Sequence, residues 1–310
     1  MGHEFTGHVE ELGGDVKSFK KGDRVVTPFT VSCGECFYCV RGFSSRCTKS
    51  QLFGSTALDG GQAQYVRVPL ADSTVMKAPE GIKDEVLVLM ADIFPTGWFA
   101  AHNAFKEVPK EDVGNAVVVL IGCGPVALCA LVNLVESAKH VLAVDSIPSR
   151  LEQAKKLGAE PWNYQTDREG LDKRVKELTD GRGADVVVEV VGLSPALKMG
   201  YELLRPWGVY ESCPSSYPCT LLIRLRISSV GVHNAEIPWT GNQAYSKNLR
   251  VQMGRCPVRS VFPSALEALK KHQDKLGFMA DKVMALTEAV EGYELFDKMQ
   301  AQKVVFEAQE

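Results

Sequence analysis

Four cysteines crowd into one short stretch, CGECFYCVRGFSSRC, at positions 33, 36, 39 and 47. The spacing C-x2-C-x2-C-x7-C lets neighbouring thiolates turn toward one centre, and the last loop returns the fourth. Four thiolates close a tetrahedral zinc shell with no open position, so Cys33, Cys36, Cys39 and Cys47 are expected to hold a structural zinc. An iron–sulfur cluster also takes four thiolates. A nucleic-acid zinc module would want a basic flank, whereas this segment carries only Arg41, Arg46 and Lys49. A second constellation, Gly122-Cys123-Gly124-Pro125-Val126-Ala127, reads G-x-G-x-x-A. In such a pattern the first glycine makes a tight turn and the second lets a pyrophosphate approach the backbone. The alanine keeps helix and strand close. A helix opening at Pro125 and Val126 offers unpaired N–H groups and partial positive charge to phosphates. Asp145 ends the next apolar run, where its carboxylate can accept from both ribose hydroxyls and repel the 2′-phosphate of NADP. Ser146 and Ile147 supply no cation to that phosphate, so NAD is expected over NADP. The plain alternative is that Asp145 caps the helix starting near Pro148. A third feature is the pair His3 and Glu4 in MGHEFTGHVEE, which taken alone is an exposed terminal histidine and its neighbour.

The elements that must position these groups are legible in the hydrophobic pattern. Residues 1–80 show short alternating runs: GDRVVTPF and AQYVRVP read as strands, and the glycine pairs at 13–14 and 60–61 read as turns. DEVLVLMADIFPTGWFAAHNAF looks helical with a break at Pro95. From Asn115 strands and helices alternate. AVVVLI, VLAVD and ADVVVEVVG are buried parallel strands in pattern, and GVYESC and SSVGVH are further candidates. PVALCALVNLVESA, SRLEQAKKLGA and LDKRVKELTDGRG are the intervening helices, the second closed by Gly158. This alternation predicts an α/β fold with a doubly wound parallel sheet. The helix SALEALKKHQD and a final strand–helix–strand, KVMALTEAVEGYELFDKMQAQKVVFE, close the chain.

Composition narrows the function classes. At roughly 150 residues per domain, 310 residues suggest two domains. A net charge of −3 gives no reason to expect nucleic acid or an anionic membrane as partner. No apolar run approaches the ~18 residues of a membrane helix. The opening residues lack the layout of a secretion signal, and their fit to a loose myristoylation pattern is read as chance. The other five cysteines are scattered in mostly apolar settings, as reduced buried thiols would be. The expected compartment is the cytoplasm.

Taken in order, Gly2-His3-Glu4, the cysteine lobe, Asp92, Gly122 to Ala127 and Asp145 resemble the zinc-containing medium-chain alcohol dehydrogenases. MADIFPTGWFAA is similar to the branch of fungal alcohol dehydrogenases and glutathione-independent formaldehyde dehydrogenases. The resemblance implies a GroES-like catalytic domain from residues 1–91 and 255–310, carrying the structural-zinc lobe 33–47. A Rossmann NAD-binding domain at 92–254 would be inserted in it. It also implies a second, catalytic zinc that acts on the oxygen of a small alcohol or aldehyde as a Lewis acid. His3 would be a ligand, Glu4 would lie beside the metal or ligate it transiently, and Asp92 would stand at the last ligand position. Gly122, Gly124, Pro125, Val126 and Asp145 would contact NAD, with Arg150 near the adenine ribose, Gly192 near the nicotinamide half and Lys303 reaching the pyrophosphate. Dimers or tetramers are the implied assemblies.

One departure stands out. The family's catalytic zinc takes a cysteine ligand from a segment upstream of Gly-His-Glu, and the chain as given begins at Met1. The expectation is an N-terminally shortened β domain, with exposed edges and a weak or absent catalytic zinc. Two alternatives therefore stay open: a non-catalytic, zinc-stapled NAD-binding protein, and a zinc-independent reductase of enones or quinones.

Overall fold

The computed structural model describes residues 1–106, 108–206, 226–234 and 236–308, with Arg226 described by its backbone alone. The chain forms two compact units, Met1–Thr96 with Arg255–Glu310, and Gly97–Gly254.

The first unit opens with an antiparallel sheet of β1 (Phe5–His8), β2 (Arg24–Thr27) and β3 (Met76–Lys77), in that order. The stretch 63–69, expected as a strand, forms no ladder. Its alternation is nonetheless used: Val66 and Val68 pack on Val31, Phe53 and Leu58, while Tyr65 stays exposed. A period of two marks a face, but a strand also needs a partner backbone in register. Nor is the glycine pair at 60–61 a turn. Gly61 N–H donates to Gly2 O at 3.0 Å and Gln62 N–H to Met1 O at 2.9 Å. A Cβ on Gly60 would lie 2.2 Å from both of those carbonyl oxygens. The missing side chains thus let the loop pin the stretch that carries His3 and Glu4.

The helical stretch after Asp84 breaks at Asp92 (φ −150°, ψ −67°), not at Pro95. Pro95 sits in the first turn of α1 (Ile93–Phe105), where its missing N–H has no partner to lose. The boundary between the two units falls inside this helix, so Asp92 belongs with the first unit.

The second unit is built on six strands: β4 (Val117–Ile121), β5 (His140–Asp145), β6 (Glu160–Asn163), β7 (Val186–Glu189), β8 (Arg226–Ser229) and β9 (Val251–Met253). All pairs are parallel, and the order is β6-β5-β4-β7-β8-β9. Every residue of β4 and β7 is buried, which is why those runs are apolar without alternation. Between the strands run α2 (Pro125–Ser137), α3 (Pro148–Lys156), α4 (Arg168–Leu178) and α5 (Ser194–Leu203). Asp167 caps α4 by accepting from Gly170 N–H. β7 stops at Glu189, three residues before the predicted end, because the Glu189 carboxylate draws the N–H groups of Val191 and Gly192 out of the ladder direction. β8 likewise ends at Ser229 rather than at His233. The candidate strand GVYESC, Cys213 and Cys219 lie outside the described residues. Strand order reverses at β4/β7, and such a reversal opens a crevice at the strands' carboxyl ends.

The returning segment adds α6 (Val258–His272), β10 (Val283–Ala285), α7 (Ala289–Asp297) and β11 (Val305–Glu307), with β10 and β11 parallel. No helix among the described residues is long and apolar enough to cross a membrane.

Within the second unit α1 meets α2 backbone to backbone at Gly97. A Cβ there would lie 2.5 Å from Ala130 N and 2.7 Å from both Cys129 C and Val126 O. Gly97→Ala is therefore expected to cost about 1–3 kcal/mol through overpacking, read as a lower midpoint in urea unfolding. An unchanged midpoint would show that the helices part freely.

Candidate cofactor and metal sites

The glycine turn is built by two backbone constraints. Gly122 adopts φ +91°, and its N–H donates to Val144 O at 2.8 Å, binding the end of β4 to β5. Cys123 N–H then donates to Asp145 Oδ2 at 2.7 Å. The chain turns so that α2 starts at Pro125 with Gly124 as its N-cap, in extended conformation (φ −72°, ψ 179°). The first helical bond is Leu128 N–H to Gly124 O at 2.9 Å, which leaves the N–H groups of Val126 and Ala127 ahead of the ladder. A Cβ placed on Gly124 would meet no atom within 4 Å, whereas Ala127 is buried. The turn thus presents open space, free donors and a helix's positive end together, which fits a diphosphate.

In the structure the Asp145 carboxylate is engaged by backbone donors on both sides. Its Oδ1 accepts from Ser146 N–H at 2.7 Å and Ile147 N–H at 2.9 Å, and its Oδ2 from Cys123 N–H. The carboxylate braces both the glycine turn and the approach to α3. One acceptor position on Oδ2 remains by count of lone pairs. Arg150, in the first turn of α3, lies near enough for its charge to act on Cys123, whose thiol burial pushes up. Gly192 (φ +86°) donates its N–H to Glu189 and packs on the backbone of Val232.

In the cysteine lobe, the four Sγ atoms of Cys33, Cys36, Cys39 and Cys47 all lie within 4.8 Å of one another. Zinc at about 2.3 Å from four sulfurs spaces them by about 3.8 Å, so small inward shifts complete the shell. The surrounding backbone points donors at sulfur. Cys33 N–H lies 3.2 Å from Cys47 Sγ, Cys36 N–H 3.4 Å from Cys33 Sγ and Lys49 N–H 3.4 Å from Cys47 Sγ. The N–H groups of Thr48 and Cys39 bring the Cys36 thiol down to about 5, while burial pushes Cys39 up to about 12. Four thiols this close ionise together only if a cation offsets their repulsion. The donor set fits zinc.

The other candidate ligands meet as a pair. His3 Nε2 lies 3.2 Å from Asp92 Oδ2. Two ligands about 2.1 Å from a tetrahedral zinc stand about 3.4 Å apart, so this spacing suits a shared metal. Thr96 Oγ1 donates to Asp92 Oδ1 at 2.7 Å and orients the carboxylate. The hydrogen bond to Asp92 raises the His3 pKa above its ordinary value, burial opposing. Glu4 follows directly, but its Oε2 takes the Lys303 ammonium at 2.6 Å, and its Oε1 is buried without a hydrogen-bond partner. In the structure Lys303 is thus engaged by Glu4. Among the described residues, only the cysteine set gathers three or more ligand atoms.

Several of these partners carry no signal in the sequence. Thr96 is four residues past Asp92, a helical spacing that was available to find it. The Glu4–Lys303 pair joins the two ends of the chain, and no local pattern announces it. Buried Cys256 also lies beside this group, its Sγ 3.5 Å from Pro95 O, with its thiol raised by burial and by the Asp92 charge.

Comparison with known proteins follows the same division. Residues 1–80 match the family described as alcohol dehydrogenase GroES-like domain, and residues 125–219 the family described as zinc-binding dehydrogenase. A protein of Aspergillus flavus described as zinc-type alcohol dehydrogenase B is 68% identical over 311 residues, covering 100% of this chain and 69% of its own length. An uncharacterized zinc-type alcohol dehydrogenase-like protein of Bacillus subtilis, AdhB, is 34% identical over 96% of this chain and 82% of its own. Among solved structures, alcohol dehydrogenase TADH from Thermus sp. ATN1 aligns with a TM-score of 0.83 at 32% identity, covering 98% of this chain and 82% of that one.

Two outcomes follow from this geometry. Cys36→Ser should lower bound zinc by one ion per chain, measured by elemental analysis of dialysed protein; an unchanged zinc content would remove the cysteine shell as its holder. Lys303→Met should destabilise the chain by about 1.5–3 kcal/mol by leaving the Glu4 carboxylate without its cation. The double variant with Glu4→Gln should recover part of that loss in denaturant unfolding. Equal stability of Lys303→Met and the unaltered chain would contradict the pairing.

Proposed function

The chain belongs to the zinc-containing medium-chain alcohol dehydrogenase family, and from that premise we propose that it transfers hydride between a small alcohol or its aldehyde and NAD(H). The observation that carries this reading is the glycine turn: an open Gly124, unpaired N–H groups at the start of α2, and Asp145 beside them. NAD would supply the hydride acceptor there, and a zinc ion between His3 and Asp92 would supply Lewis-acid polarisation of a substrate oxygen. Val126 and Ala127 would bind the diphosphate through their N–H groups, and Arg150 would lie near the adenine ribose. Asp145 would take a ribose hydroxyl on its remaining acceptor position and exclude a 2′-phosphate by charge. Thr96 would hold Asp92 in place, and Lys303 would keep Glu4 anchored beside His3.

In this reading the unit Met1–Thr96 with Arg255–Glu310 forms the catalytic part, Asp92 included, and the unit Gly97–Gly254 the cofactor part. The working assembly is a homo-oligomer; β1 pairs only with β2 among the described strands, and exposed Tyr65 and Leu70 lie in the same unit. A second reading, a zinc-stapled NAD-binding protein without turnover, is favoured by one observation. His3 and Asp92 supply two ligands where a catalytic zinc takes three from protein.

Equilibrium titration with NADH and NADPH, followed by alcohol-dependent reduction of NAD, separates these readings. NADH should bind at least about tenfold more tightly than NADPH, a difference of ~1.4 kcal/mol. Asp145→Asn, which keeps an acceptor but loses the charge, should shrink that preference. Turnover accompanied by two zinc ions per chain supports the dehydrogenase; NADH binding with one zinc and no turnover supports the second reading. Failure to bind either dinucleotide would overturn both.

A further inference from the structure

At the carboxyl end of the parallel sheet sits a carboxylate that the cofactor reading does not use. Glu189 ends β7, between β4 and β8, and is fully buried. A buried carboxylate is costly unless donors fill its acceptor positions. Here they do. Oε1 accepts from Val191 N–H at 2.8 Å and Gly192 N–H at 2.7 Å. Oε2 accepts from Ser229 Oγ at 2.7 Å and stands 2.9 Å from His233 Nε2. His233 Nε2 is also 2.9 Å from Ser229 Oγ, and its side chain is only 9% exposed. The three side chains form a triangle on one imidazole nitrogen. That is not the relay a nucleophilic serine needs, in which the two imidazole nitrogens have different partners.

What the triangle does is join two loops. One follows β7 and contains Val191 and Gly192; the other follows β8 and contains Gly231, Val232 and His233. They meet backbone to backbone: a Cβ on Gly192 would lie 2.7 Å from Val232 O, and one on Gly231 would lie 2.3 Å from Gly192 N. The first loop also leans on the glycine turn, since a Cβ on Gly122 would lie 2.8 Å from Val191 Cγ2. The pyrophosphate turn, the β7 loop and the β8 loop thus pack in series across the crevice. Asp145 marks the β5 side as the adenosine side, so the other half of a dinucleotide extends over β7 and β8. There Val191, Leu193 and Val232 are left exposed, an apolar rim above the buried triangle.

We propose that Glu189 and His233 are a positioning pair that sets these two loops for the nicotinamide half of the cofactor, without touching the reacting atoms. This rests on the NAD reading above. His233 supplies the only donor to Glu189 that comes from the far end of the β8 loop among the described residues. Removing it frees Val232 from Gly192 while leaving the glycine turn and Asp145 as they are.

The test compares NADH with ADP-ribose, which carries the adenosine and diphosphate but no nicotinamide. Dissociation constants are measured by calorimetry for the unaltered chain, His233→Ala and His233→Gln. His233→Ala should weaken NADH by about tenfold, the scale of one lost hydrogen bond to a charged group, and leave ADP-ribose within about twofold. His233→Gln, whose amide can still donate to Glu189, should restore most of the NADH affinity. Equal losses for both ligands, no loss for either, or no rescue by glutamine would overturn the proposal while leaving the cofactor reading intact. Failure of the unaltered chain to bind either ligand would overturn the cofactor reading, and the proposal with it. Should His233→Ala not fold, the same comparison on Ser229→Ala decides.

Discussion

The hydrogen bond from Cys123 N–H to Asp145 Oδ2 is the contact on which the second unit's glycine turn depends. It couples the turn after β4 to the end of β5, the two neighbouring strands that carry the proposed dinucleotide site. With Gly122 N–H held by Val144 O, it fixes where α2 begins and therefore where the free donors of that helix point. The same carboxylate holds Ser146 and Ile147, so one side chain sets the mouths of two consecutive βα units. A charged group that organises backbone donors and keeps an acceptor position for a ligand is preorganised: it needs no rearrangement when the ligand arrives.

Glu189 repeats that logic on the other side of the strand-order reversal. It too is the last residue of a central strand, and it too gathers N–H groups from the loop that follows. Burial differs between them. Asp145 is 9% exposed and can still be reached, whereas Glu189 at 0% cannot. An acid at a sheet's carboxyl end can thus serve a ligand or only the loops around it, and accessibility separates the two roles. The metal-type sites divide in a similar way. The cysteine lobe brings four ligand atoms from residues 33–47, while His3 and Asp92 are brought together from far apart and offer two.

Much of this was legible in the sequence because it depends on local chemistry. The cysteine spacing, the G-x-G-x-x-A turn and the unbroken apolar runs of β4 and β5 each act over fewer than about twenty residues, the range over which periodicity and turn chemistry speak. Pro95 misled because proline breaks a helix only in its interior; in a first turn it fits, and the break fell to Asp92. The stretch 63–69 misled because alternation reports which side is buried and not whether a ladder partner exists. The Glu4–Lys303 and Glu189–His233 pairs were invisible, since 299 and 44 residues separate their members and only the fold brings them together. The glycines at 60–61 were visible as glycines, but their reason, contact with the backbone of Met1 and Gly2, is tertiary.

In the proposed function, bare backbone at the start of α2 grips a diphosphate. The most direct measurement is a crystal structure of the chain with NAD bound. Diphosphate oxygens are expected at hydrogen-bond distance, about 2.7–3.2 Å, from the N–H groups of Val126 and Ala127, with Asp145 facing the adenosine ribose and still holding Cys123 N–H. A dinucleotide seated away from Gly122–Ala127, or an Asp145 that releases Cys123 to reach the ribose, would contradict it.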